Sequence, residues 1–221
     1  MTNNQCQQLI QAVEDADSAD GLLDAVEALS DACDEAAIPT LIEVLGFNNP
    51  GAAVAAVDGL IALGEVCVPF LLKEIDNYNY GAKAWTIRAF AGIGDPRTLD
   101  LLLRAASSDF SQSVRRAAAR GLGIIHWSKL APDQAKIAQE RALDTLFLVC
   151  QDGEWVVRYA AIVGLQKLAL SVEKFRPDIV EQIKVRFQQI LESDPEIVIQ
   201  ARICMAQRQI NQKIGSETPS S

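Results

Sequence analysis

Apolar residues recur at helical spacing along most of the chain. In the stretch that begins at Val114, one apolar stripe is formed by Val114, Ala117, Ala118, Gly121, Leu122 and Ile125. Residues three and four apart share a helix face, so this pattern predicts an amphipathic helix. The small residues at the centre of the stripe would allow a neighbouring helix to approach closely.

The same pattern returns as an internal repeat. Five segments align without gaps: AAVAAVDGLIALG from Ala52, AKAWTIRAFAGIG from Ala82, VRRAAARGLGIIH from Val114, VRYAAIVGLQKLA from Val157 and VIQARICMAQRQI from Val198. A sixth, weaker copy, GLLDAVEALSDAC, begins at Gly21. Successive copies start 31, 30, 32, 43 and 41 residues apart, which is typical of helical-hairpin repeats.

A second set of amphipathic stretches lies between these copies. Its members are IPTLIEVL from Ile38, VPFLLKEI from Val68, RTLDLLLRAA from Arg97, ALDTLFLVC from Ala142 and IVEQIKVRFQQIL from Ile179. One helix pair cannot bury its apolar face alone, so the copies must stack. The sequence therefore predicts an all-α fold, an alpha-alpha superhelix (solenoid) of about six helical-hairpin repeats. Its second helices would line the concave side.

This organisation predicts one solenoid domain over residues 1–214. The tail GSETPSS, residues 215–221, has nothing to pack and is expected to be disordered. The longer intervals imply additions to the repeat. One addition is HWSKLAPDQAKIAQER, residues 126–141, predicted as a loop with an extended helix start.

Composition and charge narrow the classes of partner. Hydrophobic residues make up 49% of the chain, which suffices for a core, and the start of the chain lacks the basic flank of a signal peptide. We therefore expect a cytoplasmic protein without a membrane partner. Residues 1–72 contain twelve Asp or Glu and no Lys or Arg. That asymmetry argues against nucleic acid and leaves open a basic protein surface or a solvated face.

Cysteine and histidine usage argues against metal sites and against covalent chemistry by this chain. The five cysteines are scattered without a C-x-x-C pair, and His126 is the only histidine. Cysteines in apolar segments are expected to be buried, namely Cys67, Cys150 and Cys204. Cys6 and Cys33 have acidic neighbours, which would raise their pKa values and make them poor nucleophiles.

Aromatic and cationic side chains recur at matching positions of the aligned copies. Trp85 takes the place of Ala117 and Ala160, and Arg88 follows one turn later in the column that also holds Arg120. The indole either remodels the local packing or reaches the groove between repeats.

Further candidates lie in a second column and at the turns. Lys83, Arg115 and Arg158 form the second column. Tyr78 and Tyr80 lie in the turn before the Trp85 helix, and Trp155 and Tyr159 flank Arg158. At the turns lie Asp76, Asp95, Asp109 and Asp152. Aromatic faces beside guanidinium groups suit a flat conjugated ligand that carries carboxylates. The alternatives are bonds to neighbouring turns for Arg115 and Arg158, and packing for the aromatic side chains.

Several segments resemble a known family. LIEVLGFNNPGAAVAAVDGLIALGE, IDNYNYGAKAWTIRAFAGIGDPRTLDLLL, SVRRAAARGLG and DGEWVVRYAAIVGLQKL are similar to the F subunits of the E/F-type phycobilin lyases, specifically the phycocyanin alpha-subunit phycocyanobilin lyases. The similarity runs from about residue 10 to about residue 205. The block NYNYGAKAW makes it specific, because generic HEAT repeats do not share it.

The resemblance implies a HEAT-like solenoid that acts as a heterodimer with an E-type lyase subunit. The pair would bind a bilin, phycocyanobilin, as substrate rather than cofactor. It would attach the bilin through a thioether to a cysteine of the apo-phycocyanin alpha subunit. A noncatalytic HEAT-repeat chaperone or scaffold for phycobiliproteins, or a lyase subunit for phycoerythrobilin, remains an alternative. The related F subunit that also isomerises the bilin has an adjacent His-Cys pair, whereas Trp127 follows His126 here, which favours a plain lyase.

We assign the candidate bilin contacts on this basis, without naming a catalytic residue. The aromatic residues that would pack the conjugated system are Tyr78, Tyr80, Trp85 and Trp155. The arginines that would hold the propionates are Arg88, Arg120 and Arg158. One of the turn carboxylates, Asp76, Asp95 or Asp109, would accept hydrogen bonds from the pyrrole nitrogens.

Overall fold

The computed structural model describes residues 3–75 and 80–216. These ranges contain twelve α-helices and no strand among the residues described. The helices are α1 (Asn3–Glu14), α2 (Ala19–Asp31), α3 (Ile38–Val44), α4 (Pro50–Leu63), α5 (Val68–Glu74), α6 (Tyr80–Ile93), α7 (Leu99–Ser108), α8 (Gln112–Leu122), α9 (Pro132–Val149), α10 (Trp155–Val172), α11 (Pro177–Ser193) and α12 (Ile197–Ser216).

The helices belong to two compact units, residues 1–97 and residues 98–221. In the first unit α2 packs on α4 and α4 packs on α6, while α3 contacts α5. In the second unit α8, α10 and α12 form one layer, and α7, α9 and α11 form the other. Each unit is thus a stack of helix pairs, and the predicted all-α solenoid class is confirmed. A single domain over residues 1–214 stays a prediction.

The residues at helix starts explain where the pairs turn. Ser18 accepts a hydrogen bond from the Gly21 N–H at the start of α2, and Asn49 does the same for the Ala52 N–H at the start of α4. Pro50 follows as the first residue of α4, where a missing N–H costs little. At the other end of α4, Gly64 has φ 76°, a conformation that glycine adopts without strain.

Small residues permit the close approach that the apolar stripe predicted. A Cβ added at Gly164 of α10 would lie 2.3 Å from the Ala119 carbonyl oxygen of α8. A Cβ at Gly123 would lie 2.3 Å from the Gly164 carbonyl oxygen. Backbone therefore meets backbone between these two helices, with no room for a side chain at either position.

The addition at residues 126–141 has the predicted form. A 3-10 turn covers Trp127–Lys129, and α9 begins early, at Pro132. Trp127 is buried, and its indole N–H donates to the Ser171 hydroxyl at 3.2 Å. At the other end of the chain, α12 continues through Ser216, two residues into the predicted tail, and residues 217–221 lie outside the described residues.

Two stretches, Pro50–Glu74 and Trp155–Val172, are long and apolar enough to cross a membrane by length and composition. The first is interrupted after α4 by a 3-10 turn, Gly64–Cys67, before α5 begins. The second is α10, which contacts α8, α9, α11 and α12. Both stretches are therefore repeat helices packed against their neighbours.

Candidate ligand-binding site

Part of the predicted site lies outside the described residues. Asp76 and Tyr78 fall in the gap at residues 76–79, and of Tyr80 only its backbone position at the start of α6 is described. Their proposed contacts with a bilin stay predictions.

Trp85 and Arg88 form a pair on α6. Trp85 is half-buried, Arg88 is exposed, and the guanidinium carbon lies 5.4 Å from the centroid of the indole ring. This is a cation–π contact between residues one helical turn apart. The first unit therefore presents an aromatic face and a cation together at its surface.

Arg115 has a structural role. Its Nε and Nη2 donate to the two carboxylate oxygens of Asp152 at 2.7 and 3.0 Å. Its Nη1 donates to the carbonyl oxygens of Asp109 and Phe110 at 2.9 and 3.0 Å. One guanidinium thus ties the turn before α8 to the turn before α10.

Arg158 repeats the same arrangement one helix pair later. It donates to the Asp194 carboxylate at 2.7 and 3.2 Å and to the carbonyl oxygens of Asp152 and Gly153 at 3.0 and 3.3 Å. The side chains of Arg158 and Asp194 are only 14% and 7% exposed. Because these donors are already used, we assign Arg158 to the framework and remove it from the candidate ligand contacts.

Arg115–Asp152 and Arg158–Asp194 together form an Arg–Asp ladder, and each of its two ion pairs has an N–O distance of 2.7 Å. Burial raises the pKa of Asp152 and of Asp194. The arginine hydrogen bonds, a backbone N–H donor and the arginine charges together exceed this effect and hold both pKa values below the ordinary range. Each rung is a charged pair at neutral pH.

The turn carboxylates Asp95 and Asp109 also organise backbone. Asp95 is 2% exposed and accepts hydrogen bonds from the Arg97 backbone N–H at 2.8 Å and from Arg97 Nη2 at 2.6 Å. A ligand contact for Asp95 does not fit this burial, and we withdraw it. Asp109 is half-buried and accepts from the Ser111 N–H at 2.9 Å, and its pyrrole contact stays a prediction.

The ladder corrects the register of the last repeat. Asp109 and Asp152 each stand five residues before the buried valine that opens the next copy, and five residues after Asp194 comes Ile199, which is fully buried. Val198, where the sequence alignment placed the start, is 39% exposed. The last copy therefore begins one residue later than predicted. Gln200 then takes the ladder position and donates to the Asp194 carbonyl oxygen at 3.0 Å.

A groove of about 390 Å³ opens on α8, α10 and α12 of the second unit. It is lined by Arg116, Arg120, Trp155, Val156, Tyr159, Ala160 and Val198. Two predicted contacts, Arg120 and Trp155, thus lie in one groove, and Trp155 is 44% exposed there. The volume falls in the range of about 300–1,000 Å³ that small-molecule sites occupy.

Three residues near this groove were not among the predicted site residues. Arg116 and Tyr159 line it, and Arg202 lies against Tyr159, with its guanidinium carbon 5.8 Å from the ring centroid. In the corrected register Arg202 occupies the position of Trp85, Ala117 and Ala160. The constant spacing from the turn aspartate to the helix would have revealed Arg202 from the sequence.

Arg202 is 8% exposed and held in a polar network. It donates to the Gln166 side-chain oxygen, and Gln166 in turn donates to Gln209. Burial lowers the pKa of Arg202, the nearby Tyr159 opposes that change, and the charge of Arg120 adds to it. Arg202 and Arg120 are therefore close enough for their charges to interact.

The chain is similar in sequence to known protein families. Residues 68–166 match the HEAT repeats model, and residues 22–47 match the PBS lyase HEAT-like repeat model. The chain is 53% identical to the "Phycocyanobilin lyase subunit beta" of Pseudanabaena tenuis, over 94% of this chain and 74% of that protein. It is 51% identical to the "Phycocyanin alpha phycocyanobilin lyase CpcF" of Synechocystis, over 89% of this chain and 90% of that protein.

The chain belongs to the phycocyanobilin lyase F (beta) subunit family. Among solved structures, it is similar to a chain in the complex of CpcE and CpcF of phycocyanin lyase from Nostoc. That match has a TM-score of 0.73 and 53% identity, and it covers 79% of this chain and 99% of the other. The family identified from the sequence is confirmed.

Three of the five thiols of this F-type subunit are poorly suited to attack. Cys6, Cys67 and Cys150 are buried, and burial raises the pKa of Cys6, that of Cys67 to about 11 and that of Cys150 to about 12. Cys204 is exposed, contrary to expectation, and it does not line the groove. The described residues also contain no cluster of metal ligands. The groove itself offers ring faces and guanidinium groups, which suit the binding and orientation of a ligand.

Proposed function

We propose that this chain is the F-type subunit of a heterodimeric lyase that binds phycocyanobilin. With an E-type subunit, it joins the bilin to a cysteine of the phycocyanin alpha subunit through a thioether. One observation carries the proposal. The chain is about half identical, over nearly its whole length, to a relative named as the phycocyanin alpha phycocyanobilin lyase. The likeness to a chain of the complex of CpcE and CpcF supports the E-type partner.

The reaction needs no nucleophile from this chain. The acceptor thiol adds across the exocyclic ethylidene double bond on ring A of the bilin. A carbon–sulfur bond forms at the exocyclic carbon, and the thiol proton ends on the ring, so no oxidant or reductant is consumed. The bilin leaves on the product and is therefore a substrate. The raised thiol pKa values of Cys67 and Cys150 are consistent with this division of labour.

The contribution of this subunit is to hold the bilin in a reactive geometry. Trp155 and Arg120 offer a ring face and a guanidinium in one groove, and Trp85 with Arg88 offers a second such pair on α6. Well-oriented reactants can gain on the order of 7–11 kcal/mol over free encounter in favourable cases. Holding one face of the ethylidene toward the thiol would also select one stereochemical product.

The test is a reconstitution with purified components. The chain, an E-type subunit and apo-phycocyanin alpha are mixed with phycocyanobilin, and covalent chromophore is followed by absorbance and by fluorescence in denaturing gels. We expect rapid attachment with a single product spectrum. An alpha subunit with its acceptor cysteine replaced by serine is the matched control. If omitting this chain changes neither yield nor spectrum, or if phycoerythrobilin is attached in preference, the proposal fails.

A further inference from the structure

The helices α8, α10 and α12 together line one groove. Arg116 and Arg120 lie on α8, Trp155 and Tyr159 on α10, and Val198 on α12. Arg202 follows Val198 by four residues, so it lies on the same face of α12, beneath the lining. The contact of Arg202 with the Tyr159 ring places its guanidinium against this groove.

Two arginines, Arg116 and Arg120, give the groove lining a positive charge. No acidic side chain is among the residues that line it. The turn carboxylates of Asp152 and Asp194 are already bound by the ladder arginines, Arg115 and Arg158. Within the described part of the chain, the guanidinium groups of Arg116, Arg120 and Arg202 make no ion pair.

Arg202 differs from an ordinary surface arginine because it is held in place. Gln166, itself 2% exposed, accepts its hydrogen bond, and the Tyr159 ring covers one face. A buried charge without an opposite charge lowers the stability of a folded protein. Binding of an anion to that charge would offset this cost. A guanidinium is also shaped to bind a carboxylate through two parallel hydrogen bonds.

We propose that this groove is a carboxylate subsite in which Arg202 and Arg120 bind a propionate of the bilin, while Trp155 and Tyr159 contact its conjugated rings. This inference rests on the proposed function and deepens it by naming the groups that recognise the substrate. Arg202 orients the carboxylate from behind Tyr159, and Arg120 approaches it from the solvent side. Arg116 adds to the positive field at the entrance.

The experiment compares phycocyanobilin with its dimethyl ester, which has the same rings and no free carboxylate. Both are titrated by absorbance into the complete heterodimer containing the wild-type chain, Arg202→Gln or Arg208→Gln. Arg208 is exposed on the same helix and outside the groove lining, so it is the matched control. We expect the free acid to bind wild type and Arg208→Gln at least about tenfold more tightly than the ester, as for a charge-assisted pair. Arg202→Gln should bind both compounds equally and weakly.

The remaining variants separate ligand binding from folding. Arg120→Gln removes an exposed guanidinium and should shrink the acid-to-ester ratio without lowering the thermal unfolding temperature. Arg202→Lys should restore part of the ratio, because it restores the charge.

An unchanged ratio in both Arg202→Gln and Arg120→Gln would overturn the subsite while leaving the proposed function intact. Weaker binding of the E-type subunit with an unchanged ratio would instead assign the arginines to a protein carboxylate. If wild type binds neither compound, the proposed function fails, and the subsite fails with it.

Discussion

Adjacent arginines in α8 have different surroundings. The Arg115 guanidinium joins two turns through Asp152, whereas the neighbouring Arg116 points into the groove. Successive helix residues are about 100° apart around the axis, so one step along the sequence exchanges a framework contact for a place in the groove lining. The same contrast holds on α10 between Arg158 and Tyr159.

The Trp85–Arg88 pair gives a prediction at this scale. An exposed cation–π contact contributes only about 0.5–1 kcal/mol, so Trp85→Ala and Arg88→Ala should change stability little. If the pair contacts the bilin, each variant should lower the initial rate of chromophore attachment by about tenfold. A stacking contact is worth about 0.5–1.5 kcal/mol and a charged hydrogen bond about 1.5–3 kcal/mol, and about 1.4 kcal/mol is a factor of ten. The measurement is the absorbance of apo-alpha after reaction with the E-type subunit present.

Phe175→Ala is the control for that experiment, because Phe175 is an 82% exposed aromatic outside the candidate site. Attachment at the wild-type rate in both Trp85→Ala and Arg88→Ala would remove α6 from the site.

At the scale of helices, the Arg–Asp ladder makes stability depend on pH. Burial raises the pKa values of Asp152 and Asp194, but accepted hydrogen bonds and the arginine charges together hold them below the ordinary range. Their stabilisation is therefore complete above the unfolded-state pKa of about 4 and is lost as pH falls through the folded-state values. We expect the urea concentration at the unfolding midpoint of the wild type to decrease as the pH is lowered below about 4.

Asp194→Asn isolates this effect, because it removes the charge and keeps the shape. Breaking a mostly buried ion pair costs about 3 kcal/mol, so the variant should unfold at lower urea near neutral pH. Its stability should then fall less steeply on acidification. Parallel pH curves for wild type and variant would contradict a stabilising role for the Arg158–Asp194 rung.

Close contact between α8 and α10 gives the third prediction. Gly164→Ala would press a methyl group against the Ala119 carbonyl, and overpacking of this kind costs about 1–3 kcal/mol. Thermal unfolding should fall by about 2–4 °C for each kcal/mol lost. Gly153→Ala is the matched control, since no atom lies within 4 Å of a Cβ there. Equal unfolding temperatures for the two variants would show that the helices can separate without cost.

Helical spacing was enough to predict the helices, because burial of an apolar stripe is a local pattern that the sequence displays directly. It could not distinguish Arg158 from Arg120, because both are cations on amphipathic helices and only the position of Asp194 decides between them. Arg202 was missed for a related reason. Its segment has Gln200 where the two preceding copies have Arg115 and Arg158, so the alignment slipped by one residue.

Across the whole molecule, the uneven distribution of charge affects how the chain associates with a protein partner. Residues 1–72 carry twelve acidic side chains and no Lys or Arg, which suits a basic surface on a protein partner. If this region docks on the E-type subunit or on the apo-protein, association should slow and weaken as salt rises, because ions screen charges beyond about 10 Å at 0.1 M. Stopped-flow and equilibrium titrations at low and high ionic strength measure this. A dissociation constant independent of salt would exclude an electrostatic role for this region.

The Arg158–Asp194 pair also helps to position α12, which forms the third side of the groove. Val198 and Arg202 lie on α12. The rung holds the turn before α12 to α10, and the Gln200 side chain holds the same turn to α12. Because Val198 and Arg202 follow this turn on α12, a displaced turn would shift both side chains relative to Trp155 and Tyr159. A contact made for the backbone thus sets the distance between two sides of the groove.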